Sequence, residues 1–217
     1  MTYAGSPQDL PGLVANLAER LRALEARFLI QGPTGPRGFP GPGSFVTQSW
    51  QAIGSYTVTP AASPVASVQF LIPTGINHLA VLWKGRSSAA VTNQGLGAQF
   101  NNSLANYYFE PTYATDTVVA AGAGAGASAL RVGLIPGSSA TAGLYGAGFI
   151  FFPNIADSLH KLAISLSGAP TSLLVGGQES QTCVGWWDGT DPITRLLILP
   201  DAGGFVTSSS LQVYGIV

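Results

Sequence analysis

Charge and cysteine are the two things that this sequence has least of. Only 9% of its 217 residues are charged, and the formal net charge is −1, whereas roughly 25% of an ordinary soluble domain is charged. The chain therefore has no basic patch for binding nucleic acid and no polybasic cluster for a membrane surface. Cys183 is the only cysteine, which excludes an intrachain disulfide framework and a multi-cysteine metal site. We expect Cys183 to be a small buried hydrophobic residue.

Long apolar runs are also missing. The longest, such as residues 149–152, are far shorter than the ~18 residues that a membrane-spanning helix needs, so we expect no membrane insertion. The first ten residues hold neither a basic cluster nor an apolar stretch. We therefore expect no secretory signal and synthesis in the cytoplasm of the producing cell.

Motifs of catalysis and metal binding are absent as well. His78 and His160 are the only histidines, and neither has zinc-site spacing. The sequence has no Gly-x-Ser-x-Gly turn for a nucleophilic serine. A glycosidase would need two facing carboxylates, and the few carboxylates after residue 43 show no such arrangement by spacing. Residues 188–191, Asp-Gly-Thr-Asp, predict a turn between strands rather than a calcium site. We predict a protein without catalytic activity and without a cofactor.

The N-terminal part of the sequence contains a heptad pattern. Apolar residues alternate at spacings of four and three, with positions d and a occupied in turn by Leu10, Val14, Leu17, Leu21, Leu24 and Phe28. Arg20 and Glu25 flank this seam in the Arg-h-x-x-h-Glu pattern of short trimeric coiled coils, where the forked guanidinium pairs with a carboxylate of a neighbouring chain. The pattern predicts a trimeric coiled coil over residues 10–31. The alternative is a single amphipathic helix packed on a globular domain.

A glycine at every third position follows directly. Four glycines keep this period with four prolines between them: Gly32, Gly35, Gly38 and Gly41, with Pro33, Pro36, Pro40 and Pro42. Only glycine fits at the axis of a collagen triple helix, and proline favours its extended backbone. Residues 32–43 therefore predict a collagen-like triple helix that stops at Ser44, with a stiff Pro/Gly linker as the alternative. Both segments indicate a homotrimer. Residues 1–9 predict a short anchor peptide that binds other proteins of a larger assembly, with a frayed terminus as the alternative.

Residues 44–217 change to a period of two. Leu162, Ile164 and Leu166 alternate with Ala163, Ser165 and Ser167, which predicts a strand whose larger apolar residues lie on the buried face. About ten similar runs, separated by turn residues, include residues 50–58, 65–72, 78–83, 96–100, 107–109, 130–135, 144–152, 181–187, 193–199 and 211–216. The pattern predicts one mostly β domain, an antiparallel sandwich or jelly roll. The Ala/Gly run at residues 120–127 predicts a surface loop, or a place where chains approach closely about a three-fold axis.

Two aromatic pairs are candidate contacts for a cell-surface glycan. They are Trp186-Trp187, next to Asp188, and Tyr107-Tyr108. Neighbouring residues of a strand face opposite sides, so one residue of each pair should lie in the core and the other outside. An exposed ring beside Asp188 could stack on a sugar. The alternative is that these rings pack in the core or between copies of the chain.

Heptads, a short Gly-Pro-x run and a β-rich C-terminal domain together resemble the short trimeric fibre proteins of tailed bacteriophages, which include collagen-containing minor tail proteins and head fibres. Residues 193–200, Ile-Thr-x-Leu-x-Ile-x-Pro, and residues 70–75, Phe-Leu-Ile-Pro-x-Gly, are similar to segments of such domains. The resemblance implies a homotrimer on the virion surface that displays its β domain for host attachment. It also allows a capsid decoration protein without a specific receptor. No receptor-binding residue is implied by it.

Overall fold

The computed structural model describes residues 50–115, 118–173 and 177–217. The predicted anchor peptide 1–9, coiled coil 10–31 and collagen-like segment 32–43 lie outside these ranges, and so do residues 44–49 of the predicted β domain. Their structures therefore stay predictions. The described residues are mostly β and include no helix; accordingly, they provide no helix that could cross a membrane.

Thirteen strands lie within the described ranges. In chain order they are β1 Trp50–Thr57, β2 Val68–Leu71, β3 His78–Gly85, β4 Asn93–Phe100, β5 Tyr107–Thr115, β6 Val118–Ala121, β7 Gly124–Ala127, β8 Leu130–Pro136, β9 Gly146–Phe152, β10 Lys161–Pro170, β11 Gln178–Trp187, β12 Arg195–Pro200 and β13 Ser210–Ile216.

The strands form two antiparallel sheets. The large sheet has nine strands in the order β1-β13-β3-β9-β10-β11-β5-β6, with β7 also paired to β5. The small sheet has the order β2-β12-β4-β8. Every strand pair in both sheets is antiparallel. The predicted mostly β, antiparallel class is confirmed.

One hydrophobic cluster contains residues of both sheets. Leu196 of β12 and Phe100 of β4 are fully buried together with Leu79 of β3 and Phe152 of β9. The rings of Phe100 and Phe152 meet edge to face with 5.2 Å between their centroids, a geometry that aromatic pairs favour. Inward residues of the two sheets thus share one core.

Strand β10 is present as predicted, but the prediction of its buried face was wrong. Leu162, Ile164 and Leu166 are 38%, 44% and 59% exposed, whereas Ala163, Ser165 and Ser167, which alternate with them, are buried. The cause is the close approach of β8. A Cβ added at Gly133 of β8 would lie 2.7 Å from the Trp83 ring and 3.2 Å from Ser167 Cβ. Only small side chains fit on the inner side of β10 there.

Strand β11 also puts small residues inside. Cys183 is 2% exposed, which confirms the predicted buried position, and burial raises the pKa of its thiol to about 11. Gly185 lies on the same inner side, where a Cβ would meet Leu130 Cδ1 at 2.4 Å. The inner layer is therefore thin along the middle of β10 and at Cys183 and Gly185 of β11.

The Ala/Gly run at residues 120–127 is not a simple loop, so that prediction was wrong. Its two ends belong to β6 and β7, which both pair with β5. Gly124 explains the pairing, because a Cβ there would lie 2.3 Å from the Phe109 ring. A strand of small residues can thus lie directly over the ring.

Candidate functional site

Large apolar side chains cover the outer side of strands β3, β9, β10 and β11. We call this surface the apolar face and define it by Leu82, Phe149, Phe151, Leu162, Ile164, Leu166, Val184 and Trp186. Cross-strand pairing joins these residues, because Ile164 is opposite both Phe151 and Val184. Leu166 and Leu82 are each opposite Phe149. Directly opposed side chains touch on an antiparallel sheet, so the apolar face is continuous.

The apolar face is almost free of charge. Strands β9, β10 and β11 direct no charged side chain outward, since Lys161 of β10 is buried on the inner side and half-buried Glu179 of β11 alternates in phase with the inward residues of its strand. Lys84 and Glu110 stand at its margins, on β3 and β5. A groove of about 270 Å³ adjoins the centre of the face, between Trp50, Leu82 and Phe149. The surface is therefore suited to an apolar partner of matching shape.

The aromatic pairs divide between core and surface as predicted. Trp187 and Tyr107 are 6% and 0% exposed, whereas Trp186 is 39% exposed and Tyr108 is half-buried. Trp187 donates a hydrogen bond from Nε1 to Ser103 Oγ at 3.3 Å, and burial raises the pKa of the Tyr107 phenol. Trp187 and Tyr107 are thus removed from the candidate glycan contacts, because the core encloses them.

The two outward rings contact each other. Tyr108 and Trp186 are directly opposite in the β5–β11 register, and their rings stack at 5.2 Å between centroids with 10° between planes. The stacking occupies one side of each ring. A sugar would have only the remaining sides available.

Asp188 lies beside this pair, in the segment between β11 and β12 that the sequence predicted as a turn. Its backbone N–H donates to Asn106 O at 3.0 Å, and its Oδ1 lies 3.2 Å from Nδ1 of the exposed His160. Trp186, Tyr108 and Asp188 therefore gather at one end of the large sheet. No group of three His, Cys, Asp or Glu side chains able to hold a metal ion occurs among the described residues.

Lys161 is a structural centre that sequence reasoning missed. Its ammonium group is fully buried and donates to Asp157 O at 2.5 Å, Asp157 Oδ1 at 2.9 Å and Leu159 O at 2.6 Å. The hydrogen bond from Lys161 lowers the pKa of the Asp157 carboxyl below its usual value. The only available signal was a lysine at the start of an apolar strand. Lys161 also donates to Thr190 O at 3.5 Å, so it joins the segment before β10 to the segment that follows Asp188.

Arg86 organises the opposite end of the large sheet. Its guanidinium donates to the carbonyl oxygens of Thr141 at 2.7 Å, Leu144 at 3.1 Å, Ser138 at 3.3 Å and Ala140 at 2.8 Å. The planar fork of arginine suits several fixed acceptors at once. One buried cation thus sets the shape of the segment between β8 and β9.

The described chain begins at the same end as Trp186. Trp50, the first residue of β1, is opposite Ile216, which is opposite His78 at the start of β3. Its ring meets Phe151 of the apolar face edge to face, with 6.4 Å between centroids. Five strand-to-strand steps separate β1 from β11, or about 24 Å at ~4.8 Å a step.

A scan against protein-family models finds no match, and a search of the curated proteins finds no significant match either.

Proposed function

We propose that this chain is a homotrimeric fibre protein on the virion surface of a tailed bacteriophage, and that its β domain contacts the host cell. The observation that carries the proposal is the strand order. Half of the large sheet reads β1-β13-β3-β9, and the small sheet reads β2-β12-β4-β8. In each half, early and late strands alternate, which is the order of an eight-stranded jelly roll. Viral capsid proteins and lectins use this fold.

The remaining strands extend that jelly roll on one side. Strands β10, β11, β5 and β6 continue the large sheet beyond β9. They come from two insertions, one between β4 and β8 and one between β9 and β12. The apolar face lies mostly on this extension.

The segments before the β domain support the trimer. The heptads of residues 10–31 and the glycine period of residues 32–43 are both patterns of three-chain assemblies. In the proposed fibre they form a stalk that residues 1–9 fix to other virion proteins. Three linked domains would bind a host surface more tightly than one, since linkage raises effective concentration. The proposal gives the chain no catalytic role, no cofactor and no nucleic-acid partner.

We place the host-contacting surface at the Arg86 end of the domain. The chain reaches the β domain from Trp50, at the opposite end of the large sheet from Arg86. The segment held by Arg86 is partly exposed: the Ser138 carbonyl oxygen accepts from the guanidinium, and Ser138 and its neighbour Ser139 are both exposed. The pair Tyr108–Trp186 lies at the Trp50 end and is less suited to a displayed receptor site.

A second candidate function is a capsid decoration or head fibre protein without a specific receptor. The mutual stacking of Tyr108 and Trp186 favours it, because the exposed aromatic pair is already partnered within the chain. In that case the trimer is attached to the virion and the β domain needs no host ligand.

The test uses the purified full chain. Light scattering should give the mass of a trimer, and the protein should bind host cells and compete with infection. Ser139→Arg, which adds bulk and charge at the Arg86 end, should weaken this competition, whereas Trp186→Ala should not. A trimer that neither binds nor competes would favour the decoration protein. A monomer or dimer mass would overturn both.

A further inference from the structure

We infer that a second copy of this chain covers the apolar face in the assembled protein. The inference rests on the proposed homotrimer and adds to it the surface through which the β domains meet. It is carried by the side-chain pattern of β10, by the size and charge of the face, and by the length of chain that precedes Trp50.

The pattern of β10 indicates that its outer side is also a buried side. A strand covered on one face normally keeps its larger apolar residues on that face. In β10 the three large residues are 38% to 59% exposed, and the buried positions that alternate with them hold alanine or serine. Val184 and Trp186 of β11 are likewise 45% and 39% exposed, opposite Ile164 and Leu162. The outer sides of both strands therefore carry large apolar side chains of the kind that normally pack against another apolar layer.

The area matches what an interface between chains requires. Seven residues of the apolar face, and Trp50 beside it, are 38% to 59% exposed. Because a fully exposed large side chain presents ~200 Å², their exposed apolar area is on the order of several hundred Å². A monomer rarely exposes an apolar patch of this size, and a stable complex buries about 800 Å² on each partner. Half-buried Phe151 and Tyr214 add to the same surface.

The chemistry of the face favours a protein partner over a sugar. A sugar presents hydroxyl groups that need hydrogen-bond partners when they are buried. Across its centre, β9 and β10 offer Phe149, Phe151, Ile164 and Leu166, none of which has a polar side chain. Another copy of the same apolar face, or the groove beside Trp50, offers complementary surface of the right kind.

The covalent length of the chain brings sister copies close to this face. Six residues, 44–49, separate the last predicted Gly-x-y triplet from Trp50. From residue 43 to Trp50 the chain makes seven residue-to-residue steps, and at most ~3.6 Å for each step places Trp50 no more than about 25 Å from the place where three chains would meet. Trp50 itself contacts Phe151 of the apolar face. In the proposed trimer, the first residues of the three large sheets therefore lie within about 25 Å of the end of the triple helix.

Hydroxyl-radical footprinting of the full chain in solution tests the inference. Leu166 and Leu71 form a matched pair, because they are leucines 59% and 66% exposed on the outer sides of the large and small sheets. We expect trimer mass and several-fold less oxidation of Leu166 than of Leu71. A trimer in which both leucines react alike would overturn the inference and leave the proposed trimer standing. A monomer with both reactive would overturn the proposed function as well.

A second variant identifies what covers the face. Leu21→Asp introduces charge into the predicted heptad seam of the full chain. A monomeric variant in which Leu166 becomes as reactive as Leu71 supports a second copy as the cover. A trimeric variant with Leu166 still protected also supports it, and shows that the face holds the copies together without the coiled coil. A monomer, wild type or variant, with Leu166 protected would overturn it, because the chain would then cover its own face.

Discussion

Strands β13 and β10 belong to the same sheet but direct their large residues to opposite sides. Leu211 and Val213 of β13 are fully buried in the core, and Gln212 between them is exposed. In β10 the leucines and isoleucine are outside, and alanine and serine are inside. The β13 half of the sheet thus serves one core. The half with β9, β10 and β11 separates the core from a second apolar layer on the outside.

The outer side of the small sheet, unlike the apolar face, carries charged side chains. There Arg131 and Asp201 form an ion pair at 3.2 Å, and Gln69 and Arg195 also lie on this side. The low charge of the whole chain therefore does not explain the apolar face. Charged groups are present on the domain, but they are placed elsewhere.

The largest expected contrast is between the neighbouring tryptophans. Trp187→Ala removes a core ring and should lower the free energy of unfolding by about 3–5 kcal/mol. Trp186→Ala, on the apolar face, should cost about 1–2 kcal/mol in the assembled trimer, because the ring lies outside the core. Chemical denaturation of the two variants measures the difference. Equal losses would contradict the assignment of the two rings to different layers.

The buried ammonium group of Lys161 should give the next largest effect. Lys161→Met leaves the oxygens of Asp157 and Leu159 without their donor, which should cost about 2–4 kcal/mol. Lys84→Met is the control, because Lys84 is exposed at the margin of the apolar face and its loss should change stability little. Thermal and urea unfolding of both variants measure this. A stable Lys161→Met protein would show that the segment before β10 does not depend on the lysine.

Exchanging the two sides of β10 tests the layers directly. Ser165→Leu adds volume beneath β8 and should cost about 1–3 kcal/mol by overpacking. Leu166→Ser should cost about 1–2 kcal/mol in the assembled trimer, where the leucine is covered. In the Leu21→Asp background, if that chain is monomeric, Leu166→Ser should cost nothing measurable. A loss of the same size in both backgrounds would argue against the outer layer.

The smallest effect concerns pH. The pKa of Asp157 is below its ordinary value of 3.8 in the folded chain, first because Lys161 donates to the carboxylate. The ionised carboxylate therefore stabilises the fold above about pH 4, and this contribution is lost as pH falls through the lowered pKa. Thermal unfolding is measured from about pH 6 to about pH 3, and the difference in midpoint temperature between wild type and Asp157→Asn should decrease as pH falls. A difference that stays constant over this pH range would contradict the stabilising role of the ionised Asp157 carboxylate.

Much of the β domain could be predicted from periodicity. The alternation in residues 162–166 and 211–216 identified real strands, and the antiparallel class followed from short strands between turns. Which side of β10 is buried could not be predicted. A period of two gives the spacing of the apolar residues, but the side that the other sheet covers depends on Gly133 and Trp83, which are distant in the sequence. Strands β6 and β7 were missed because alanine and glycine carry little strand propensity.

For the candidate site, the sequence predicted which aromatic residues lie on opposite sides of a strand but not the contacts that they make. Alternation correctly separated Trp186 from Trp187 and Tyr108 from Tyr107. It could not show that Tyr108 and Trp186 stack on each other, because this contact depends on the register of β5 and β11. The carbonyl groups around Lys161 come from chain geometry rather than from side-chain types. No motif in the sequence could have indicated them.

Site-specific photocrosslinking from the middle of the apolar face tests the central claim most directly. The full chain carrying benzoylphenylalanine in place of Leu166 is irradiated, and the covalent products are mapped by mass spectrometry after mixing isotopically light and heavy chains during assembly. The account predicts products that join a light to a heavy chain through the large sheets. Products confined to single chains, or no products from a trimer, would contradict it.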